Sequence, residues 1–307
     1  MELALSTSWN AFRHERAEEL VSEVKELGFR RLELSFNLSE QIIQGVLQLF
    51  KKQEIKIASL HNFCPVPAGI KGEAVLPDHY SLASLDEDER QEALRHTKKT
   101  IDTACIFQSK AVVLHCGRVE IADKTRQLID LYQRGLGDSR ESRDLKNDFM
   151  KERADKAAPF FEELLRSLDE LSAYAKARGI FLGIETRFYY REIPSLPEIK
   201  VIFEKFKGSN ILYWHDTGHS QVRDKIGFEA QEEYLNLFSN NMLGVHLHDV
   251  VGLLDHQPAG KGEVDFKRLK AGIPSCALKV LEVHHPATAE ELKQSKAFLE
   301  NIFSDGN

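Results

Sequence analysis

The chain has 307 residues, 42% of them hydrophobic and 29% charged, which suits a globular protein with a large core. One domain of this length is unusual for most folds but ordinary for an α/β barrel. The net charge of −7 argues against a broad nucleic-acid surface, which needs clustered Lys and Arg. No apolar run approaches the ~20 residues that span a bilayer, and "MELALSTSWN" lacks the pattern of a signal peptide. Cys64, Cys105, Cys116 and Cys276 show no C-x-x-C spacing and read as reduced thiols, so a cytoplasmic protein without membrane contact is expected.

The predicted elements alternate short β-rich runs with amphipathic helices. "LALSTS" (3–8) precedes a helix "RHERAEELVSEVKEL" that stops at Gly28. "RRLELS" (30–35) and "IKIASLH" (55–61) follow. A capping box of Ser84 with Glu87 opens the next helix, before "AVVLH" (111–115). The long, polar segment 117–152 is the largest insertion and is expected to be helix plus a mobile excursion over the barrel mouth. The helix "APFFEELLRSLDELSAYAKARG" then runs to Gly179 and "FLGIE" (181–185). A capping box of Ser195 with Glu198 leads to "ILYWHD" (211–216), where Gly218 is read as a turn residue at the rim. "MLGVHLHD" (242–249) and "LKVLEV" (278–283) complete the set, with a last capping box of Thr288 and Glu291. Eight β-then-α units predict an α/β fold, a closed (β/α)8 TIM barrel in one domain over 1–307, with the active site at the C-terminal strand ends. The rival, an open doubly wound sheet, lacks a G-x-G-x-x-G after any strand.

Acidic residues and histidines gather at those ends. Glu33, His61, His115, Glu185 and Asp216 stand on strands two to six, with His219 three residues past Asp216. His246 and His248 are two apart and share a face of strand seven, Glu282 is on strand eight, and His256 lies in the loop between them. Any one of them has an ordinary structural explanation. Together they form converging buried charge without paired cations, which is costly, and a bound divalent metal is the simplest compensation. Carboxylate and imidazole without thiolate suit Zn²⁺, Mn²⁺ or Co²⁺.

"GIET", "HDTGH", "VHLHD" with "GKGEVDF" behind it, and "LEV" resemble the xylose-isomerase-like TIM-barrel superfamily. That superfamily includes sugar and sugar-phosphate isomerases and epimerases, inosose-processing enzymes and endonuclease IV. The resemblance spans essentially the whole chain, from "GFRRLELSF" to "LEVHHPATAEEL". It implies one metal per chain on Glu185, Asp216, His246 and Glu282, and homo-oligomers, as dimers or tetramers. His246 opens an H-x-x-acid pattern, which leaves His248 to support or contact substrate. His219 matches a residue that meets substrate or a further metal. Glu185 and Glu282 are three strands apart and approach the metal from different sides. One then removes a proton from a hydroxy-ketone and the other returns one, giving isomerisation or epimerisation of a small sugar, sugar phosphate or polyol derivative.

His61, His115, His219 and His256 also match the additional ligands of endonuclease IV-like members, which bind three zinc ions. The Asp expected two before His256 is Leu254, with Asp255 displaced by one. This second pattern implies two or three metals and phosphoester hydrolysis. A lyase or dehydratase on the same site, and a non-enzymatic binding barrel, are the remaining alternatives. Substrate contacts are expected from Glu33, Trp9, His219, His248, Arg187 as an anion clamp or a neutralising charge, and Lys261 reaching a phosphate between turn glycines. Trp214 is read as core, and His284 and His285 as ordinary loop residues.

Overall fold

The computed structural model describes residues 2–304. Eight parallel strands close a barrel: β1 (Ala4–Ser6), β2 (Arg31–Leu34), β3 (Lys56–His61), β4 (Ala111–Leu114), β5 (Phe181–Glu185), β6 (Ile211–Asp216), β7 (Met242–Leu247) and β10 (Leu278–Leu281). The order around the barrel is β1-β10-β7-β6-β5-β4-β3-β2, so neighbours in sequence are neighbours in space. A two-stranded antiparallel ribbon, β8 (Asp249–Val251) with β9 (Leu254–Gln257), interrupts the alternation between β7 and β10. Every strand predicted from the sequence is present.

Short Val-, Leu- and Ile-rich strands form here because both faces are covered. The barrel interior holds Ala4, Ala58, Ala111, Val113, Val280 and one large side chain, Trp214. The small residues leave the volume that the indole fills. Gly244 on the next strand is part of this fit, since a Cβ there would lie 2.4 Å from Trp214 Cζ3. The outer layer is helix on sheet. On α1 (Ala17–Glu26), Ala17, Leu20, Val21 and Val24 recur at helical spacing and are buried.

The capping boxes at Ser195 and Thr288 open α6 (Leu196–Lys205) and α10 (Ala289–Phe303) as expected. At α3 (Glu87–Ile106) the expectation is corrected. Asp86 is the cap, accepting from the Asp88 and Glu89 N–H groups, while Ser84 donates its hydroxyl to Glu89. A carboxylate next to the positive helix end outcompetes a hydroxyl two residues earlier. The segment 117–152 is also more regular than expected. It contains α4 (Thr125–Gln133), and from Arg140 it is the start of α5 (Arg140–Lys176), whose Arg153 is locked onto Glu198 at 2.7 Å. All four cysteines are free, and among the described residues no helix is long and apolar enough to cross a membrane.

Candidate metal centre and active site

Four buried side chains converge where β5, β6, β7 and β10 end. One donor atom from each of Glu185, Asp216, His246 and Glu282 lies within 4.8 Å of the others. His246 is the centre of the group. Its Nδ1 is 2.9 Å from Glu185 Oε1, 2.9 Å from Glu282 Oε2 and 3.7 Å from Asp216 Oδ2. Its Nε2 lies 3.1 Å from both oxygens of Glu33, which also accepts from the Ser59 hydroxyl at 2.7 Å. Glu33 thus accepts a hydrogen bond from Nε2–H and aims Nδ1 at the carboxylates, as outer partners of metal-binding imidazoles do.

Burial opposes a charge on His246, yet the Glu282 and Glu33 carboxylates raise its pKa well above the ordinary value. The carboxyls move the other way. Burial would raise Glu185, but His115 and Arg187 hold it well below the usual range. Glu282 is likewise held down against burial by His246. Three carboxylates and one imidazole, with no thiolate, fit a divalent cation of the zinc or manganese class.

Asp216 ends β6 and caps α7 (Thr217–Lys225), its Oδ1 accepting the His219 N–H at 2.7 Å. That cap places His219 over the mouth. His219 Nδ1 donates to the Thr186 carbonyl at 3.0 Å, which leaves Nε2 facing Asp255 Oδ2 at 3.6 Å. His248 differs. Its Nδ1 accepts the His256 N–H at 2.8 Å, so Nε2 carries the proton and donates to Asp216 at 3.0 Å. Both nitrogens are used, and a neutral His248 orients Asp216 without a lone pair to offer. Gly218 serves this ring and not a turn: a Cβ there would lie 2.1 Å from His248 Cε1.

His256 has φ +53, in the left-handed region that non-glycine residues rarely adopt. Its Nδ1 is 3.0 Å from Asp255 Oδ2. Burial opposes its charge, but Asp255 raises its pKa to about 9. The carboxylate displaced by one position therefore still reaches both His219 and His256.

The second oxygen of Glu185 faces β3 and β4. Oε2 is 2.8 Å from His115 Nε2, 3.1 Å from Arg187 Nη1 and 3.6 Å from His61 Nε2. Burial and then the Arg187 charge push His115 down to about 3, whereas Glu185 raises His61 against the effect of burial.

A cavity of about 470 Å³ opens above these groups. Glu185 and Glu282 line it, with Asp216 and His246 beneath, and α4 contributes Arg126, Ile129 and Gln133 to its wall. Four expected contacts lie elsewhere, one of them His248, which is fully buried against Asp216 and does not line the cavity. Glu33 is fully buried behind His246. Trp9 is 1% exposed, donating its indole N–H to the Ala287 carbonyl at 2.8 Å under the loop that follows β10. Lys261 points outward to Glu291 at 3.4 Å, because Asp249 accepts from the Gly260 and Val264 N–H groups and ties its loop away from the cavity.

The family described as xylose isomerase-like TIM barrel matches residues 21–302, most of the chain. The chain belongs to that family. No curated protein matches the sequence. Among solved structures it is similar to a D-tagatose 3-epimerase-like protein, at 18% identity and a TM-score of 0.67, over 98% of this chain and 97% of that one. It is similar to the 3-keto-D-glucoside 4-epimerase YcjR from E. coli, at 15% identity and a TM-score of 0.68, over 98% of this chain and 99% of that one. It is also similar to the IOLI protein with a bound zinc atom, at 14% identity and a TM-score of 0.68, over 99% of this chain and 98% of that one.

Within this xylose isomerase-like barrel, two of the cavity residues outside the sequence expectations bring an ionisable group to the site. His284 stacks on His256 with ring centroids 3.8 Å apart and lines the cavity, whereas its neighbour His285 is an exposed loop residue packed on Phe12. The signal was parity, since His284 stands two residues past Glu282 and shares its face. Arg126 also lines the cavity, with its guanidinium over the Tyr189 ring. It lies in the insertion, whose direction over the mouth has no local signature.

Proposed function

We propose that this barrel is a divalent-metal-dependent isomerase or epimerase of a small sugar, sugar phosphate or polyol derivative. Glu185, Asp216, His246 and Glu282 would hold the metal. When bound, it supplies Lewis acidity that weakens a C–H bond beside a carbonyl. One observation carries the reading: two cavity-facing carboxylates, Glu185 and Glu282, each lie 2.9 Å from the same His246 nitrogen. A substrate carbon above that nitrogen has a carboxylate on either side. One Glu takes the proton and the other returns one, to the neighbouring carbon or to the opposite face. The cavity volume suits a single small sugar. The epimerase names of the similar structures agree with this chemistry.

The test incubates the metal-loaded protein with a panel of ketoses, aldoses and their phosphates in deuterated water. Product carrying deuterium at one carbon is expected; turnover of the panel with no exchange at any carbon overturns proton transfer through solvent-exchangeable carboxyls. A second reading, metal-dependent phosphoester hydrolysis, is favoured by the further donor groups His61–His115–Glu185 and Asp216–His219–His256. Hydrolysis of a phosphoester panel that includes an abasic-site duplex, with no sugar interconversion, would select it.

A further inference from the structure

Glu185 offers one oxygen to each of two donor groups, and they differ in what already fills them. Oε1 belongs with His246, Glu282 and Asp216. Oε2 belongs with His61 and His115, and Arg187 enters that second group. Its Nη1 is 2.6 Å from His115 Nε2 and 3.1 Å from Glu185 Oε2. The other edge of the guanidinium is anchored, with Nε and Nη2 at 3.2 and 2.9 Å from Glu192 Oε1. Glu192 is itself fixed by the Tyr189 N–H, which it accepts at 2.7 Å. Arg187 is 8% exposed and Glu192 4%, so this clamp is not a side chain passing through.

Two groups reach His115 Nε2, Arg187 Nη1 at 2.6 Å and Glu185 Oε2 at 2.8 Å; the guanidinium can only donate, so it takes the one lone pair of a neutral imidazole, and its other contact from Nη1 goes to the carboxylate. A zinc ion on the same atom would stand at about 2.0–2.1 Å, in the space the guanidinium nitrogen occupies. The geometry points to Arg187 as the resident cation of the His61–His115–Glu185 group, so that this group excludes a metal and the catalytic ion at Glu185–Asp216–His246–Glu282 has no metal partner across Glu185. The inference rests on the proposed function and narrows it. A fixed guanidinium, which lines the cavity beside Glu185, stabilises negative charge developing on a substrate oxygen. It does not turn a water into hydroxide, as a second metal would. This favours enolate-forming sugar chemistry over phosphoester hydrolysis.

The test counts metal in the full chain. Metal-free wild type, His115→Ala, Arg187→Met and the double variant are titrated with Zn²⁺ by calorimetry and checked by elemental analysis. His115→Ala should bind the same number of equivalents as wild type. Arg187→Met should gain one equivalent, and the double variant should lose that gain. In Mn²⁺-loaded wild type, electron paramagnetic resonance should show no spin-coupled pair that depends on His115. Loss of one equivalent in His115→Ala, or a His115-dependent coupled signal, overturns the inference while leaving a metal-dependent enzyme. A folded Arg187→Met chain with no added equivalent also overturns it, because the guanidinium would not be what excludes the ion. If Arg187→Met does not fold, the His115→Ala count and the resonance decide. A wild-type chain that takes up no metal overturns the proposed function itself.

Discussion

On one side of Glu185, Oε1 accepts from a histidine Nδ1–H that Glu33 aims at it from behind; on the other, Oε2 lies beside a histidine whose Nε2 is already met by Arg187. Both sides present imidazoles and carboxylates in a small buried volume. What separates them is the partner each ring has besides Glu185. Glu33 accepts from His246 Nε2 and so aims Nδ1 at the carboxylates, while the Glu192-anchored guanidinium meets His115 Nε2. Donor count alone does not distinguish the two sides; the further hydrogen bond made by each imidazole does.

The largest effect is expected at the carboxylates. Glu282→Gln should lower turnover by about 10²–10⁴-fold if Glu282 moves a proton. Metal content measured on the same sample separates that loss from loss of the ion. A variant that keeps its metal and its turnover removes the proton-transfer role. A smaller effect is expected behind the ring: Glu33→Gln should weaken metal affinity by about 10–100-fold in a calorimetric titration, as loss of an outer partner of a metal-binding His does. Unchanged affinity would mean that the Nε2 contact does not orient His246.

The smallest effect is a proton count. The raised pKa of His246 means that Nδ1 carries a proton at neutral pH in the metal-free chain, and a metal must displace it. Affinity should therefore fall as pH drops, and proton release on binding should diminish as pH rises through the raised value. His115, held down to about 3, is already neutral near pH 7 and adds no proton. Titrations in buffers of different ionisation heat measure the release; none at neutral pH would contradict a protonated His246.

Much of this was legible in the chain. The strands follow from short Val-, Leu- and Ile-rich runs between helical stretches, and barrel closure from their number and order. Period-2 parity brings Glu185, Asp216, His246 and Glu282 to one rim, and read one step further it would have included His284. Trp9 and Lys261 misled because a tryptophan early in the chain and a lysine between glycines look available. Burial under the loop after β10, and the Asp249 tether, are long-range packing facts with no local signal. Asp255 looked displaced because the resemblance puts the acid two residues before His256; in the fold the adjacent carboxylate meets His256 at 3.0 Å and His219 at 3.6 Å, with His256 at φ +53.

By itself the sequence determined the barrel and the set of donors at its rim, because hydrophobic period and strand parity act over a few residues. Only the tertiary structure decided what each donor is free to do. His246 owes its orientation to Glu33, 213 residues away, and His115 meets its guanidinium across 72. Such pairings are set by barrel closure, which brings distant strand ends within hydrogen-bond reach and leaves each buried nitrogen one partner to choose.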